Sequence, residues 1–305
     1  MLRRALLAAA ASHQIRGRIT TTPAARAVVD RFVAGEDIGD AVAVARKLRA
    51  SGRLVTLGYL GAEASDPLQA AATATQYTQL LSKLAADGLT ADGAVEVSVK
   101  PTATGLLLDQ RLATEHIARI ATAAADCGTT VTLDAEYHRT VDATLRMAAG
   151  LREMFPALGS VVQAALRRTE TDVRALAAPG VRVRLVKGAY TEPVSEAFTA
   201  RHDVDKAFAR CLRVLMSGPG YPMIATHDPR LIAITRSLGL SRPPDSFEYQ
   251  MQYGVRDSEQ HALAASGARV RVYVPYGPDG YGYLMRRLAG RPANLPSLLR
   301  ALVSR

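Results

Sequence analysis

From Leu54 onward, short β-branched runs alternate with long Ala- and Leu-rich runs. The strand-like runs are Leu54–Leu60, Val95–Lys100, Thr130–Ala135, Ser160–Ala165, Val181–Lys187, Met223–Thr226, Phe247–Tyr253 and Val270–Val274. Helical periodicity fills the intervals: Pro67–Ala86, Gln110–Asp126, Arg139–Met154, Thr169–Ala177, Asp203–Met216, Pro229–Leu238 and Ser258–Ala265, with Tyr281–Leu288 after the last strand. Eight strands each followed by a helix predict an α/β fold, a closed (β/α)8 barrel of the TIM type. An open doubly wound sheet would carry a Gly-rich nucleotide loop after its first strand. Here GAEASDP follows, matching neither GxGxxG nor GxxxxGK[ST]. Ala24–Ala50 predicts two helices broken at Gly35 to Gly39. Leu295–Val303 predicts a closing helix. Residues 1–53 are thus expected to form an N-terminal helical segment packed on a barrel of residues 54–305, with a C-terminal helix over the barrel mouth.

A chain of 305 residues that is 48% hydrophobic can bury one such barrel core. The formal charge of +10 favours anionic partners, but it is spread along the chain. With 5% aromatic residues and no Trp, a base-stacking platform is not expected, and neither is a nucleic-acid partner. Cys127 and Cys211 have neither metal-ligand nor disulfide-framework spacing, which fits a reducing cytoplasm. Met1–Arg26 carries five arginines and no acidic residue, like a transit peptide. Its helical pattern, however, runs on through Val28, Phe32 and Val33, so a surface helix belonging to the fold is expected. No apolar run approaches the ~20 residues a membrane span needs.

In such barrels chemistry sits at the C-terminal ends of the strands. Reading those ends yields Lys100, Asp134 with Glu136, Gln163, Arg184 with Lys187, Thr226 with His227 and Asp228, Gln250 with Gln252, and Tyr273. Each alone has an ordinary explanation: a solvated lysine, a loop-capping glutamine, a satisfied core histidine. Their coincidence at one end points to a site. Pro275 should end the last strand, because it cannot donate to a ladder. On the helix beyond, Tyr283, Arg286 and Arg287 share one face. Paired guanidinium groups suit a carboxylate or phosphate held by two parallel hydrogen bonds. Cations outnumber Asp134 and Glu136, so an electropositive mouth is expected. Gly188 would admit a phosphate-bearing cofactor close to backbone. No Ser-His-Asp, Cys-His or metal-ligand spacing appears, and no metal is expected.

The blocks RLVKGAY (Arg184–Tyr190) and YGYLMRRLAGRPAN (Tyr281–Asn294) resemble the proline dehydrogenase family. VSVKPTATG, TLDAE, VVQA, ATHD and FEYQMQYGVR match its other blocks in the same order, and the likeness runs from about Ala24 to the C-terminus. The resemblance, to the monofunctional bacterial form, implies FAD on a (β/α)8 barrel. It implies oxidation of L-proline to Δ1-pyrroline-5-carboxylate by hydride transfer from ring C5 to flavin N5, with electrons passed to a membrane quinone. Arg286, Arg287 and Lys100 would hold the proline carboxylate, Asp134 would offset them and orient an arginine, and Tyr273 and Tyr283 would wall the ring. Gln163, Arg184, Val186, Lys187, Gly188, Thr226 and His227 would contact the cofactor. A cytoplasmic protein in peripheral contact with the inner membrane is the implied setting.

One position departs from the family pattern. Gly290 stands where the family usually has Glu, one turn beyond the arginine pair, so Asp134 or Glu136 would have to compensate. Two rival readings stay open on residues alone: a Schiff-base barrel aldolase using Lys187 or Lys100, and a catalytically weakened flavin-binding protein.

Overall fold

The computed structural model describes residues 23–290, with side chains from 27 to 286. Among the described residues two helices, α1 (Pro23–Phe32) and α2 (Ile38–Ala50), precede the alternating region. That region runs β1 (Leu54–Tyr59), α3 (Pro67–Ala86), β2 (Val95–Val99), α4 (Gln110–Asp126), β3 (Val131–Leu133), α5 (Val141–Arg152), β4 (Gly159–Gln163), α6 (Thr169–Leu176), β5 (Arg182–Val186), α7 (Arg201–Ser217), β6 (Tyr221–Ala225), α8 (Pro229–Gly239), β7 (Glu248–Gln252), α9 (Asp257–Ala265) and β8 (Val270–Tyr276). Helix α10 (Gly280–Gly290) follows β8. All strands are parallel, each pairs with its neighbour in sequence, and β1 closes on β8, so the sheet is a closed (β/α)8 barrel. The expected break between the first two helices falls at residues 33–37. The expected helix Leu295–Val303 and most of the basic Met1–Arg26 segment lie outside the described residues.

Local chemistry sets the helix starts. Asp66 accepts from the Gln69 N–H at 2.9 Å with Pro67 in the first turn, and Asp228 accepts from the Arg230 N–H at 3.0 Å ahead of Pro229. These acceptors satisfy donors that a helix leaves unpaired, while proline there loses no intrahelical bond. The strands alternate. In β2, Val95, Val97 and Val99 face outward and are fully buried beneath the helices, while Glu96 and Ser98 face inward. The main apolar core therefore lies between sheet and helices, with Tyr77, Leu80, Leu81, Leu84, Ile117 and Ile120 among its fully buried side chains.

One strand boundary differs from expectation. Strand β8 continues through Pro275, which pairs in register with Gly58. The Tyr273 carbonyl accepts from the Tyr253 N–H at 2.9 Å, so the Pro275 nitrogen, two residues on, also faces the β7 side, where β7 has ended at Gln252, and its missing N–H breaks no strand-to-strand bond. The Pro275 carbonyl accepts instead from the Ala34 N–H at 2.9 Å. That bond ties the segment after α1 to the barrel, and Val28 and Phe32 of α1 pack on Leu284 of α10.

Candidate active site

The inward faces of the strands are charged. At the lower level Glu96, fully buried, accepts from Arg182 at 2.7 Å and from Thr56 at 2.8 Å. Buried Glu248 accepts from Arg271 at 2.7 Å and from the Tyr221 hydroxyl at 3.1 Å. Burial alone would raise the Glu96 carboxyl, but Arg182, Arg271 and Arg184 hold it well below the ordinary carboxylate value. Above this floor lies Arg184. Its Nη1 donates to Ser98 Oγ at 2.9 Å and to Asp134 Oδ1 at 3.0 Å, and its Nη2 lies 3.4 Å from Glu96 Oε1. Asp134 also accepts from Ser98 Oγ at 2.8 Å and from the Tyr273 hydroxyl at 3.1 Å. The guanidinium sits 5.5 Å from the centroid of the Tyr273 ring. Burial first, then the Asp134 charge, pushes the Tyr273 phenol well above its ordinary value, so it stays a hydrogen-bond donor.

Tyr273 needs the glycine opposite it. A Cβ on Gly58 would lie 2.2 Å from the Tyr273 hydroxyl oxygen, so only glycine leaves room for this ring between β8 and β1.

Lys100 follows β2 directly, and its ammonium makes no hydrogen bond or ion pair among the described residues, although its charge acts on Glu136. Glu136 is buried and binds the Thr102 N–H at 2.8 Å and the Thr102 hydroxyl at 2.7 Å. Burial still raises its carboxyl above the ordinary value. Gln163 donates to the Glu136 carbonyl at 2.7 Å and is in register with Val186. His227 Nε2 accepts from the Gln252 N–H at 2.9 Å, which places the ring proton of the neutral form on Nδ1. Thr226 accepts from the Asp228 N–H at 3.2 Å. Gly188 has φ +110, and a Cβ there would meet Ala165 at 3.1 Å and Gln163 at 3.3 Å.

Sequence reasoning misplaced some of these residues. Arg184 is not at a strand end but in the middle of β5, inside the barrel. Nor are the mouth cations in broad surplus. Lys187 is ion-paired with Asp205 and, at 3.1 Å, with Asp228. Asp205 lies on α7, and no strand-end pattern marks it. A Schiff base at Lys187 would have to break both ion pairs. Arg286 is half exposed and pairs with Asp279 at 2.6 Å. The side chain of Arg287 lies outside the described residues. Asp134, expected to orient an arginine, binds Arg184 together with Ser98 and Tyr273, and Glu136 is bound by Thr102; among the described residues neither carboxylate has a hydrogen bond or ion pair with Arg286. Ser98 and Glu96 went unmarked, yet the alternation of VEVSVK puts both on the face that carries Lys100. Among the described residues no group of three or more His, Cys, Asp or Glu is placed to hold a metal.

Three kinds of comparison place this architecture among known proteins. The pattern of the family described as proline dehydrogenase matches residues 41–295. Proline dehydrogenase 1 of Bacillus subtilis (strain 168) is 36% identical over 277 residues, covering 90% of each chain. Proline dehydrogenase of Deinococcus radiodurans is 34% identical over 283 residues, again covering 90% of each chain. Among solved structures, proline utilization A from Bdellovibrio bacteriovorus, inactivated by N-propargylglycine, superimposes with a TM-score of 0.81 at 26% identity. That match covers 90% of this chain, which spans 33% of that larger protein.

Proposed function

Since the chain belongs to the proline dehydrogenase family, we propose that it binds FAD non-covalently at the barrel mouth and oxidises L-proline to Δ1-pyrroline-5-carboxylate, with a membrane quinone as final electron acceptor. One observation carries the cofactor part. Arg184 is fixed through both terminal nitrogens, yet its Nε is buried without a hydrogen-bond partner. An unmet buried donor costs roughly 1–3 kcal/mol, so a bound acceptor would be stabilised there. A flavin edge carries nitrogen and carbonyl acceptors of that kind. Around Arg184, the residues that would hold it are Gln163, Val186, Lys187, Gly188, Thr226 and His227, and the φ of +110 at Gly188, with a Cβ position only 3.1 Å from Ala165, favours a bare backbone there.

Bound FAD would supply a two-electron acceptor for the hydride that leaves ring C5 of proline. The chain's own residues do the rest. Lys100, Arg286 and Arg287 bind the substrate carboxylate; Lys100, with no partner among the described residues, is well suited to an anion. Nearby cations also favour the neutral amine, which must provide electrons as the C=N bond forms. Tyr273 and Tyr283 wall the ring and exclude water, and Asp134 holds both Tyr273 and Arg184 in place. In this reading residues 1–53 are a helical segment packed on the barrel of residues 54–305. The protein works in the cytoplasm against the inner membrane, where a net charge of +10 attracts anionic lipid. Among the described residues no helix is long and apolar enough to cross a membrane.

The test has two parts. Acid precipitation should release FAD into the supernatant; a folded, colourless protein that FAD cannot reconstitute refutes the cofactor assignment. Then kcat/KM for proline and for pyrrolidine, which lacks the carboxylate, is measured in the parent, Arg286→Met and Arg287→Met. A charge-assisted bond of about 1.5–3 kcal/mol predicts a loss of roughly ten- to over a hundredfold for proline. The preference over pyrrolidine should shrink with it. Variants that keep FAD and discriminate as strongly as the parent would remove the arginines from the clamp.

A further inference from the structure

Arg286 has a carboxylate partner that the reading of the strand ends did not mark. Asp279, the last residue before α10, accepts from Arg286 Nη2 at 2.6 Å. The two are seven residues apart, with Tyr283 between them at i+4, so Asp279, Tyr283 and Arg286 form one stripe along the helix. The Asp279 carbonyl also accepts from the Tyr283 N–H at 2.9 Å, which fixes the start of that stripe.

Helix α10 begins just past β8. At 1.5 Å per residue, Arg286 sits roughly 9 Å along it. Helical side chains lean toward the N-terminus, so a long arginine can reach back over the preceding turns. Asp279 gives it a reason to do so. The ion pair holds the guanidinium back toward the start of α10. The fit depends on Gly282, because a Cβ there would lie 2.3 Å from Asp279 Oδ1. The carboxylate therefore occupies the space where any other residue at 282 would place its side chain. Gly290, four residues beyond Arg286, offers no carboxylate from the other direction.

We infer that Asp279 is a positioning residue for Arg286, supplying from the front of α10 the carboxylate that Gly290 cannot supply from behind. It takes up one nitrogen of a guanidinium that has five N–H donors, and the others remain to meet the anion. Its charge offsets part of the repulsion between neighbouring arginines. The partner pair is half exposed, at 51% for Arg286 and 28% for Asp279, so the effect is graded. This inference rests on the reading of Arg286 as a carboxylate ligand.

The experiment uses the full-length FAD-loaded enzyme. KM and kcat for proline, and kcat/KM for pyrrolidine, are measured in the parent, Asp279→Asn, Asp279→Ala and Gly282→Ala. Asp279→Asn keeps the shape and the backbone bond, so it remains informative if Asp279→Ala folds poorly. The expected result is a rise of about three- to tenfold in KM for proline, the scale of one hydrogen bond. The change in kcat should be smaller, and kcat/KM for pyrrolidine should be nearly constant. Gly282→Ala should reproduce the rise by displacing the carboxylate. Adding Gly290→Glu to Asp279→Ala should lower KM again, since the new carboxylate would be at i+4 spacing from Arg286. Unchanged KM and unchanged discrimination in both Asp279 variants overturn the inference. So does an equal loss for proline and pyrrolidine, which marks a general structural effect. A parent that does not turn over proline refutes the underlying reading instead.

Discussion

Replacing Asp134 with Asn tests whether the barrel interior holds Arg184 by charge. The substitution preserves shape and removes one negative charge from a carboxylate that accepts from Ser98 at 2.8 Å, Arg184 at 3.0 Å and Tyr273 at 3.1 Å. The parent interior balances Arg182, Arg184 and Arg271 against Glu96, Glu248 and Asp134. In Asp134→Asn three guanidinium groups face two carboxylates. The nearest remaining carboxylate to Arg184 is Glu96 at 3.4 Å, already committed to Arg182 at 2.7 Å. An amide has one acceptor oxygen, so one of the three donors also loses its partner. Removing one member of a fully buried pair costs about 3–5 kcal/mol. Asp134 retains some exposure at the mouth and Glu96 persists, so the smaller figure for a charge-assisted bond applies, about 1.5–3 kcal/mol. For a chain of this size that lowers Tm by about 2–5 °C. Calorimetry of parent and variant at pH 7.5, with flavin content read by absorbance, gives both quantities. The difference should survive about 0.5 M salt, because a buried pair is poorly screened. A Tm within about 1 °C of the parent, with FAD fully retained, would refute the view that Asp134 fixes Arg184.

Other changes probe other parts. The folded-state Glu96 carboxyl lies below its unfolded value, so its contribution is full above about pH 4.5 and is lost as pH falls through the folded value. The stability gap between parent and Glu96→Gln, read by urea unfolding, should therefore be largest near neutral pH and shrink in acid; a gap that widens in acid contradicts this. Gly58→Ala should cost about 1–3 kcal/mol by overpacking against Tyr273 and should weaken proline turnover; a variant with parental Tm and kcat/KM would show that the ring moves freely. Among the described residues, Lys187→Met leaves Asp205 and Asp228 sharing the exposed Arg230 as their one cationic partner. Measured by equilibrium dialysis, its FAD affinity should fall, while borohydride with a carbonyl substrate should trap no adduct on the parent.

The sequence by itself determined the barrel and the strand faces. Asp66 with Pro67, Asp228 with Pro229 and the VEVSVK alternation act over a few residues, and local hydrogen bonding and the period of two decide them wherever they sit. It also marked the residue types at the mouth, because a strand end is local information. What it could not determine was which charges meet. Arg184 and Asp134 are fifty positions apart, and only closure of the barrel brings them to 3.0 Å. Asp205 neutralises Lys187 from a helix whose own pattern says nothing about the mouth. Counting cations at strand ends overstated the positive charge for that reason. Pro275 stays in β8 because β7 has already ended beside it, a fact about the neighbouring strand rather than about proline. Asp279 and Arg286 are close in sequence, yet their contact depends on a side chain folding back along its helix past a glycine. Electrostatic partnership in a low-dielectric interior is set by three-dimensional distance, and the fold supplies that distance.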